Sequence, residues 1–432
     1  KWQDTAPAFA PPGASTVALG LPHPVRWRGG PPVAEPLQVR VKALPVPPPQ
    51  QRFATKPVEV PPRAFLAIGL GITAEAVAAC AAPAEFVIEA KAGKETREIL
   101  RARVDPEEVR EGWVDHRLDL SALAGQQVAF QFSSAVVRGG DAPAFSVPVW
   151  GSPEILVERE DDGRRNLILV SLDTVRADYV LTEAFGARLT PALDALAARG
   201  VVFEEGIAPY NSTTASHMTL LTGVYPALHR VNYPAMRLDP SIPTLAEILS
   251  QNGYQTAAIT ENAMISAGAG FARGFDSYRE NRSVLDAAGH ADETFRDARR
   301  WLERHGDERF FLFVHTYEAH APYKPKGDTL DLLEEISAEE RAANRYAPFM
   351  REYAAEIRYQ DKVFGELIED LERLGLLDRS VVVVTSDHGE EFGEHDAMGH
   401  SKTVYDEVLR VPLVLVAPGL VPAGRRVPEQ VS

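Results

Sequence analysis

The stretch 210–226 carries a run of hydroxyls, Ser212, Thr213, Thr214 and Ser216, ahead of a segment with helical character and a stop at Gly223. At a helix start the unpaired backbone N–H groups and the helix dipole favour negative charge, so a hydroxyl there is well placed to attack an anionic ester. Alone, the same pattern is an ordinary helix cap. Its meaning depends on where the other polar residues fall. Run 167–172 ends in Asp173, run 310–314 leads into His315, Glu318 and His320, and run 381–384 leads into Thr385-Ser-Asp387-His388-Gly389-Glu390. Short continuous apolar runs read as strands buried on both faces. In open α/β sheets, ligands bind at the C-terminal ends of such strands. One Asp or His there is what a strand ending at solvent shows. Three such ends, with a hydroxyl-rich helix start, point to a site.

Asp173, Asp387 and His388 offer two carboxylates and an imidazole, a set that suits zinc or manganese better than calcium. A cation held there would lower the pKa of the Thr213 hydroxyl and hold a substrate oxygen. His320 and His400 are available to orient the ester, protonate the leaving group or ligate a second metal. Lys402 can neutralise charge on the ester oxygens. Arg176, one turn after Asp173, either braces that carboxylate or makes a surface ion pair.

Helical patterns at 191–199, 244–251, 292–303 and 351–374 alternate with these runs and with a further one at 256–260. Strand and helix in alternation predict an α/β domain around a central, mostly parallel sheet. The N-terminal part reads differently. Fifteen of the 33 prolines lie in residues 1–62, which predicts an extended segment without a helical core. From Phe65 apolar residues alternate with period two (Leu66, Ile68, Leu70, Ile72; Phe86, Ile88, Ala90; Val128, Phe130, Phe132), so 63–157 is expected to be a small all-β sandwich, an accessory module. Its Trp113 and Trp150 are either core residues or platforms for a sugar.

A net charge of −16 argues against a nucleic-acid partner. No apolar run reaches the length of about 18 residues that a membrane helix needs. The single cysteine, Cys80, allows no intrachain disulfide. The chain starts at Lys1 rather than Met, which fits a trimmed leader and a periplasmic or extracellular location.

At the polar residues the chain resembles the sulfatase family of the alkaline phosphatase superfamily. The matching pieces are Asp173-Thr-Val-Arg-Ala-Asp178, the segment 190–200, Ser216-His-Met-Thr-Leu-Leu-Thr-Gly223 with Tyr225-Pro226, and Thr244-Leu-Ala-Glu247. Gly274-Phe-Asp276, His320-Ala-Pro-Tyr323, Thr385-Ser-Asp-His-Gly-Glu390 and Gly399-His-Ser-Lys402 follow in the family's order. The resemblance implies a mixed sheet flanked by helices in a catalytic domain at 166–432. It also implies a metal held by Asp173, Asp387, His388 and the nucleophile. The family's nucleophile stands three residues before a serine that matches Ser216, which makes it Thr213.

Three departures shape the expected chemistry. Threonine cannot become the formylglycine of sulfatases proper, so none is expected. His217 replaces the motif's arginine, and is carried here as a candidate catalytic residue. His388 stands where many sulfatases have Asn. Thr with Asp-His looks like the phosphoryl-transferring relatives. The expected function is therefore a metal-dependent hydrolase of phosphate or sulfate esters, phosphate favoured, acting through Thr213 and a covalent intermediate. The alternatives are a phosphoethanolamine- or phosphoglycerol-type transferase onto lipid or glycan, and a non-catalytic glycan-binding relic. Compared with the family, the chain is also expected to lack a C-terminal subdomain.

Overall fold

A computed structural model of the protein describes residues 50–73, 76–77, 82–109, 113–137, 146–157, 163–261, 263–281 and 289–432. Cys80 and most of the proline-rich segment lie outside these residues. The chain divides into two compact units, 1–158 and 159–432.

In the first unit, strands β1 (Gln50–Ala54), β2 (Val58–Glu59), β3 (Ala64–Ile72), β4 (Ala84–Ala92), β5 (Glu95–Val104), β6 (Val114–Asp119), β7 (Gln127–Val136) and β8 (Pro148–Val157) form two antiparallel sheets. One runs β1-β7-β4-β5 with β2 also on β7, and the other runs β6-β3-β8. The period-two pattern acts as expected: Leu66, Ile68 and Leu70 of β3 meet Phe86 and Ile88 of β4 and Phe130 and Phe132 of β7 in one core. The sandwich begins earlier than residue 63, because residues 50–59 supply two strands. Phe53 explains the first of them, stacking on Phe132 at 4.7 Å.

In the second unit, an eight-stranded sheet carries the site. Its strands are β9 (Asn166–Leu172), β10 (Val201–Ile207), β11 (Gln255–Thr260), β12 (Ser277–Glu280), β13 (Phe310–Thr316), β14 (Ser380–Thr385), β15 (Arg410–Val416) and β16 (Arg425–Val431). The order is β12-β11-β13-β9-β14-β15-β10-β16. The first five are mutually parallel, and β15 runs antiparallel to both its neighbours. The sheet is thus mixed, with β9 between β13 and β14. That order puts the three polar strand ends side by side.

Continuous apolar runs make these strands buried on both faces, and the helices divide accordingly. Helices α1 (Pro191–Ala197), α4 (Ala291–His305) and α5 (Ala347–Arg373) pack Leu193, Phe295, Leu302, Tyr353 and Leu367 against Ile168, Val170, Leu312 and Val314. Helices α2 (Thr213–Thr222) and α3 (Leu245–Gln251) pack Met218, Leu221 and Ala246 against Leu169, Phe311 and Phe313 on the other side. Each fully buried Phe or Leu contributes about 1.5–3 kcal/mol. Local signals set the ends. Thr244 and Glu247 form a capping box on α3, and Gly223, at φ 68°, closes α2 in the left-handed region. Helix α1 is capped from a distance: the Asp361 carboxylate accepts the N–H groups of Ala192 and Leu193 at 2.8 and 2.9 Å.

Candidate active site

Asp173 follows β9, and its own N–H still pairs with the Thr316 carbonyl of β13 at 3.0 Å. The chain then turns through Thr174 at φ 60°, a conformation that a threonine adopts only at a cost of about 1–3 kcal/mol. Several bonds hold the turn. Thr174 N–H donates to Asp387 Oδ1 at 3.2 Å and its hydroxyl to the Ala319 carbonyl at 2.9 Å. Tyr353 of α5 donates its hydroxyl to the Thr174 carbonyl at 2.8 Å and accepts the Arg176 N–H at 2.9 Å. The end of β9 is therefore clamped from both sides.

Asp387 and His388 follow β14. The Asp387 Oδ1 atom accepts two backbone N–H groups, from Thr174 and from His388 at 2.9 Å, while Oδ2 has no hydrogen-bond donor. Asp173 Oδ1 is likewise buried without a partner. The Nδ1–H of His388 donates to the Gly389 carbonyl at 3.0 Å, so Nε2 carries the lone pair. That Nε2 faces Asp387 Oδ2 at 3.3 Å and the Thr213 hydroxyl at 3.4 Å. Gly389 is needed here, since a Cβ would stand 2.1 Å from the Glu407 carbonyl oxygen.

Asp173, Asp387 and His388 thus bring three electron-rich atoms within 4.8 Å of one another, all buried. Burial, and then the charge of Asp387, push Asp173 well above the usual carboxylate range. Burial pushes Asp387 the same way, but His388, His217 and His315 outweigh it and hold it low. Two orphaned carboxylate oxygens beside an imidazole lone pair fit a divalent cation.

Thr213 is the first residue of α2, with extended Ser212 before it. Two bonds seat the helix on the strand ends. Ser216 donates its hydroxyl to the Asp387 carbonyl at 2.6 Å, and His217 places Nδ1 2.9 Å from the Thr213 carbonyl. A carbonyl only accepts, so Nδ1 of His217 carries the proton and Nε2 accepts from Ser171 Oγ at 2.9 Å. His315 donates Nε2–H to Asp173 Oδ2 at 3.1 Å. Asp173, His217 and His315 also lie within 4.8 Å of one another. Both nitrogens of His217 are already used, so this second set reads as support beneath the first.

On the other side, the His400 ring lies 4.3 Å from that of His388 and 5.1 Å from that of His320. His400 donates Nδ1–H to Glu390 Oε1 at 2.9 Å, and Tyr323 donates its hydroxyl to Glu390 Oε2 at 3.1 Å. Burial lowers His400, but its bond to Glu390 more than offsets this and raises it. Burial and the neighbouring His400 push His320 down to about 4. His320 stacks on Tyr317 at 4.2 Å and directs Nδ1–H to the Ala321 carbonyl.

Two expected residues make other bonds than those expected of them. Lys402 is exposed, and its Nζ donates to the Met398 carbonyl at 3.1 Å. Arg176 does not brace Asp173. It is buried and joins Asp178 at 2.7 Å, Glu394 at 2.6 Å and the Glu390 carbonyl at 3.0 Å, tying down the loop that holds Glu390. His315, Ser171, Glu390 and Tyr323 were given no role from the sequence. His315 and Glu390 stand at the ends of apolar runs, and Tyr323 and Glu390 fall in pieces that match the family, but which polar atoms they meet follows only from the folded loops.

The family model described as Sulfatase matches residues 165–432. The ulvan-active sulfatase of Formosa agariphila is 29% identical over 287 residues, covering 56% of this chain and 56% of its own. The choline-sulfatase of Rhizobium meliloti is 24% identical over 330 residues, 60% of this chain and 64% of its own. The chain therefore spans less than two thirds of these relatives' lengths. Among solved structures, the yidJ protein of Bacteroides fragilis superposes with a TM-score of 0.56 at 20% identity, covering 63% of this chain and 72% of that one. The phosphonate monoester hydrolase of Agrobacterium radiobacter gives 0.50 at 22%, covering 62% and 71%. At these identities the two structures bear on the fold alone.

Proposed function

The chain belongs to the sulfatase family, and from that premise we propose that it is a metal-dependent hydrolase of phosphate or sulfate esters, phosphate favoured, with Thr213 as nucleophile. The observation that carries this reading is the convergence on Thr213. Its hydroxyl opens α2 at 3.4 Å from the His388 lone pair, beside the orphaned oxygens of Asp173 and Asp387.

Asp173, Asp387, His388 and Thr213 would hold the cation, zinc or manganese by the donor set, with calcium possible. When bound it supplies Lewis acidity, lowering the pKa of the hydroxyl and neutralising ester charge. The remaining chemistry belongs to the chain. Thr213, its hydroxyl proton given up to solvent, forms an Oγ–P bond as the bond from phosphorus to the alcohol oxygen breaks in line, and His400 or His320 gives that oxygen a proton. Water then attacks phosphorus as the Oγ–P bond breaks, the same imidazole takes the water's proton, and Thr213 is left as the alkoxide it was before the attack. His217 supports the helix turn that presents Thr213, through its bond to the Thr213 carbonyl. Lys402 reaches the ester only if its bond to Met398 is given up.

Threonine is the reason for preferring phosphate. A sulfated formylglycine hydrate is relieved by collapse to an aldehyde, an exit that threonine lacks, whereas phosphothreonine yields to attack at phosphorus. The two relatives named above are sulfatases, so both esters enter the test. An acceptor hydroxyl in place of water would make the enzyme a transferase with the same residues. Among the described residues no helix is long and apolar enough to cross a membrane.

The test is turnover of nitrophenyl phosphate, bis-nitrophenyl phosphate and nitrophenyl sulfate by chelated protein, re-supplied in turn with zinc, manganese and calcium. Phosphoester turnover restored by zinc or manganese is the expected result. Preferential sulfate turnover would overturn the argument from threonine.

A further inference from the structure

The sandwich holds an arrangement that ester chemistry does not use. Along β3 the residues facing the core are large, Leu66, Ile68, Leu70 and Ile72, while those on the opposite face shrink from Phe65 and Ala67, which are buried with Leu156 of β8, to Gly69 and Gly71. Gly69 pairs with Gly151 of β8, which adds a third glycine to the same patch. Glycine within a strand is destabilising by about 0.5–1 kcal/mol relative to alanine, and marks a place where something approaches the backbone closely. Here the approaching group is an indole. A Cβ at Gly69 would meet Trp113 atoms at 3.2 and 3.3 Å, one at Gly71 at 2.8 Å, and one at Gly151 at 3.2 and 3.3 Å. The ring of Trp113 is laid across all three glycines, yet the residue stays 40% exposed.

The two tryptophans that the sequence left on equal terms therefore separate. Trp150 lies on the inner side, edge-on to Phe86 at 4.9 Å and Phe132 at 5.3 Å, and is core. Trp113 is held by one side and open on the other. Asp115, Arg117 and Asp119 follow it at two-residue intervals on the outer face, all exposed. Asp115 Oδ1 stands 3.1 Å from the Cβ position of Gly69, next to the indole, and the Arg117 guanidinium lies 3.4 Å from the centre of the Phe65 ring.

This surface selects among occupants. An apolar protein partner would bury carboxylates and a guanidinium at a loss. A nucleic acid would meet two carboxylates and a chain of net charge −16. A pyranose presents a flat C–H face to stack on the indole, and ring-edge hydroxyls that a carboxylate and a guanidinium can bind. We propose that the exposed β6 side of this face, around Trp113, is a glycan-binding platform, in which Trp113 stacks on one pyranose ring and Asp115 and Arg117 bind its hydroxyls. The platform is independent of the ester chemistry and stands or falls apart from it.

The test is native affinity electrophoresis of the full chain in gels cast with barley β-glucan, galactomannan or ι-carrageenan. At least one polysaccharide should retard the wild type. Trp113→Ala should weaken that retardation about tenfold or more. Trp113→Tyr keeps a ring over the glycines and should retain part of the binding, while Asp115→Ala, at an exposed position, should weaken it without loosening the sandwich. Nitrophenyl ester turnover by all three variants should match the wild type. A wild type that runs unretarded in every gel, or Trp113→Ala and Asp115→Ala retarded as strongly as the wild type, would overturn the proposal.

Discussion

The two sides of the site are built to different standards of rigidity. On the floor, Asp173, Asp387, His388, His217 and His315 are all buried, and they hang from adjacent strand ends and one helix. Most polar atoms there have a fixed partner, while Asp173 Oδ1 and Asp387 Oδ2 are buried without one. On the roof, His320, His400 and Lys402 come from loops, are partly or fully exposed, and depend on Glu390, Tyr323 and Ala321 for their orientation. The difference teaches where substitution should be absolute and where it should be graded. On the function proposed above, the floor would decide whether a cation and nucleophile are present at all. The roof sets how well a particular leaving group is served.

The largest effect should come from the floor. Asp387→Ala removes one orphaned oxygen and the acceptor of the Thr174 N–H. Turnover should fall by about 10³-fold or more, and zinc titration by calorimetry should show the site weakened or gone. A variant that still binds zinc and turns over would dissolve the distinction between floor and roof. On the roof, His400→Ala should cost about 10²–10⁴-fold with an alkyl phosphate, whose leaving group needs a proton, and much less with nitrophenyl phosphate. Equal losses on both would move the acid to His320. Beneath the nucleophile, His217→Ala should lower metal affinity or turnover by about 10–100-fold, as loss of a supporting residue does. The smallest change is expected at Lys402→Ala, within about threefold, because the exposed amine is committed to the Met398 carbonyl. A larger loss would mean that the 398–402 turn rearranges around substrate.

Acid should also separate the two sides in the metal-free protein. His320 is lowered to about 4, against about 6.5 for an unfolded histidine. Between these values the unfolded chain binds more protons, so this group's contribution to stability falls as pH drops from about 6.5 to 4, by on the order of 2–3 kcal/mol. Above that window it changes nothing. Thermal unfolding of wild type and His320→Gln across this range would check it: the variant should lose less stability on acidification.

The sequence made the floor legible and left the roof obscure, for physical reasons. Short continuous apolar runs, alternating with longer helical patterns, read as strands buried on both faces, so Asp173, Asp387 and His388 could be placed at the sheet edge and Thr213 at a helix start. His315 was visible in the same way but had no role, because its partner Asp173 lies on the neighbouring strand and only strand order brings them together. The Glu390–His400 pair and the Met398 bond of Lys402 depend on the course of the loop 389–405, which follows no period. Of the two readings of Arg176, the ion pair is the one found, with the nearby Asp178, while its other partners, Glu394 and the Glu390 carbonyl, are more than two hundred positions away and could not be read from the sequence. The strands at 50–59 were hidden by the prolines around them.

The central claim is that Thr213 takes the phosphoryl group. The direct measurement is peptide mass spectrometry of zinc-loaded protein quenched in acid during turnover of nitrophenyl phosphate. A phosphoryl adduct on Thr213 is expected, absent from Thr213→Ala, which should also be inactive. An unmodified Thr213 peptide together with an active Thr213→Ala variant would contradict it.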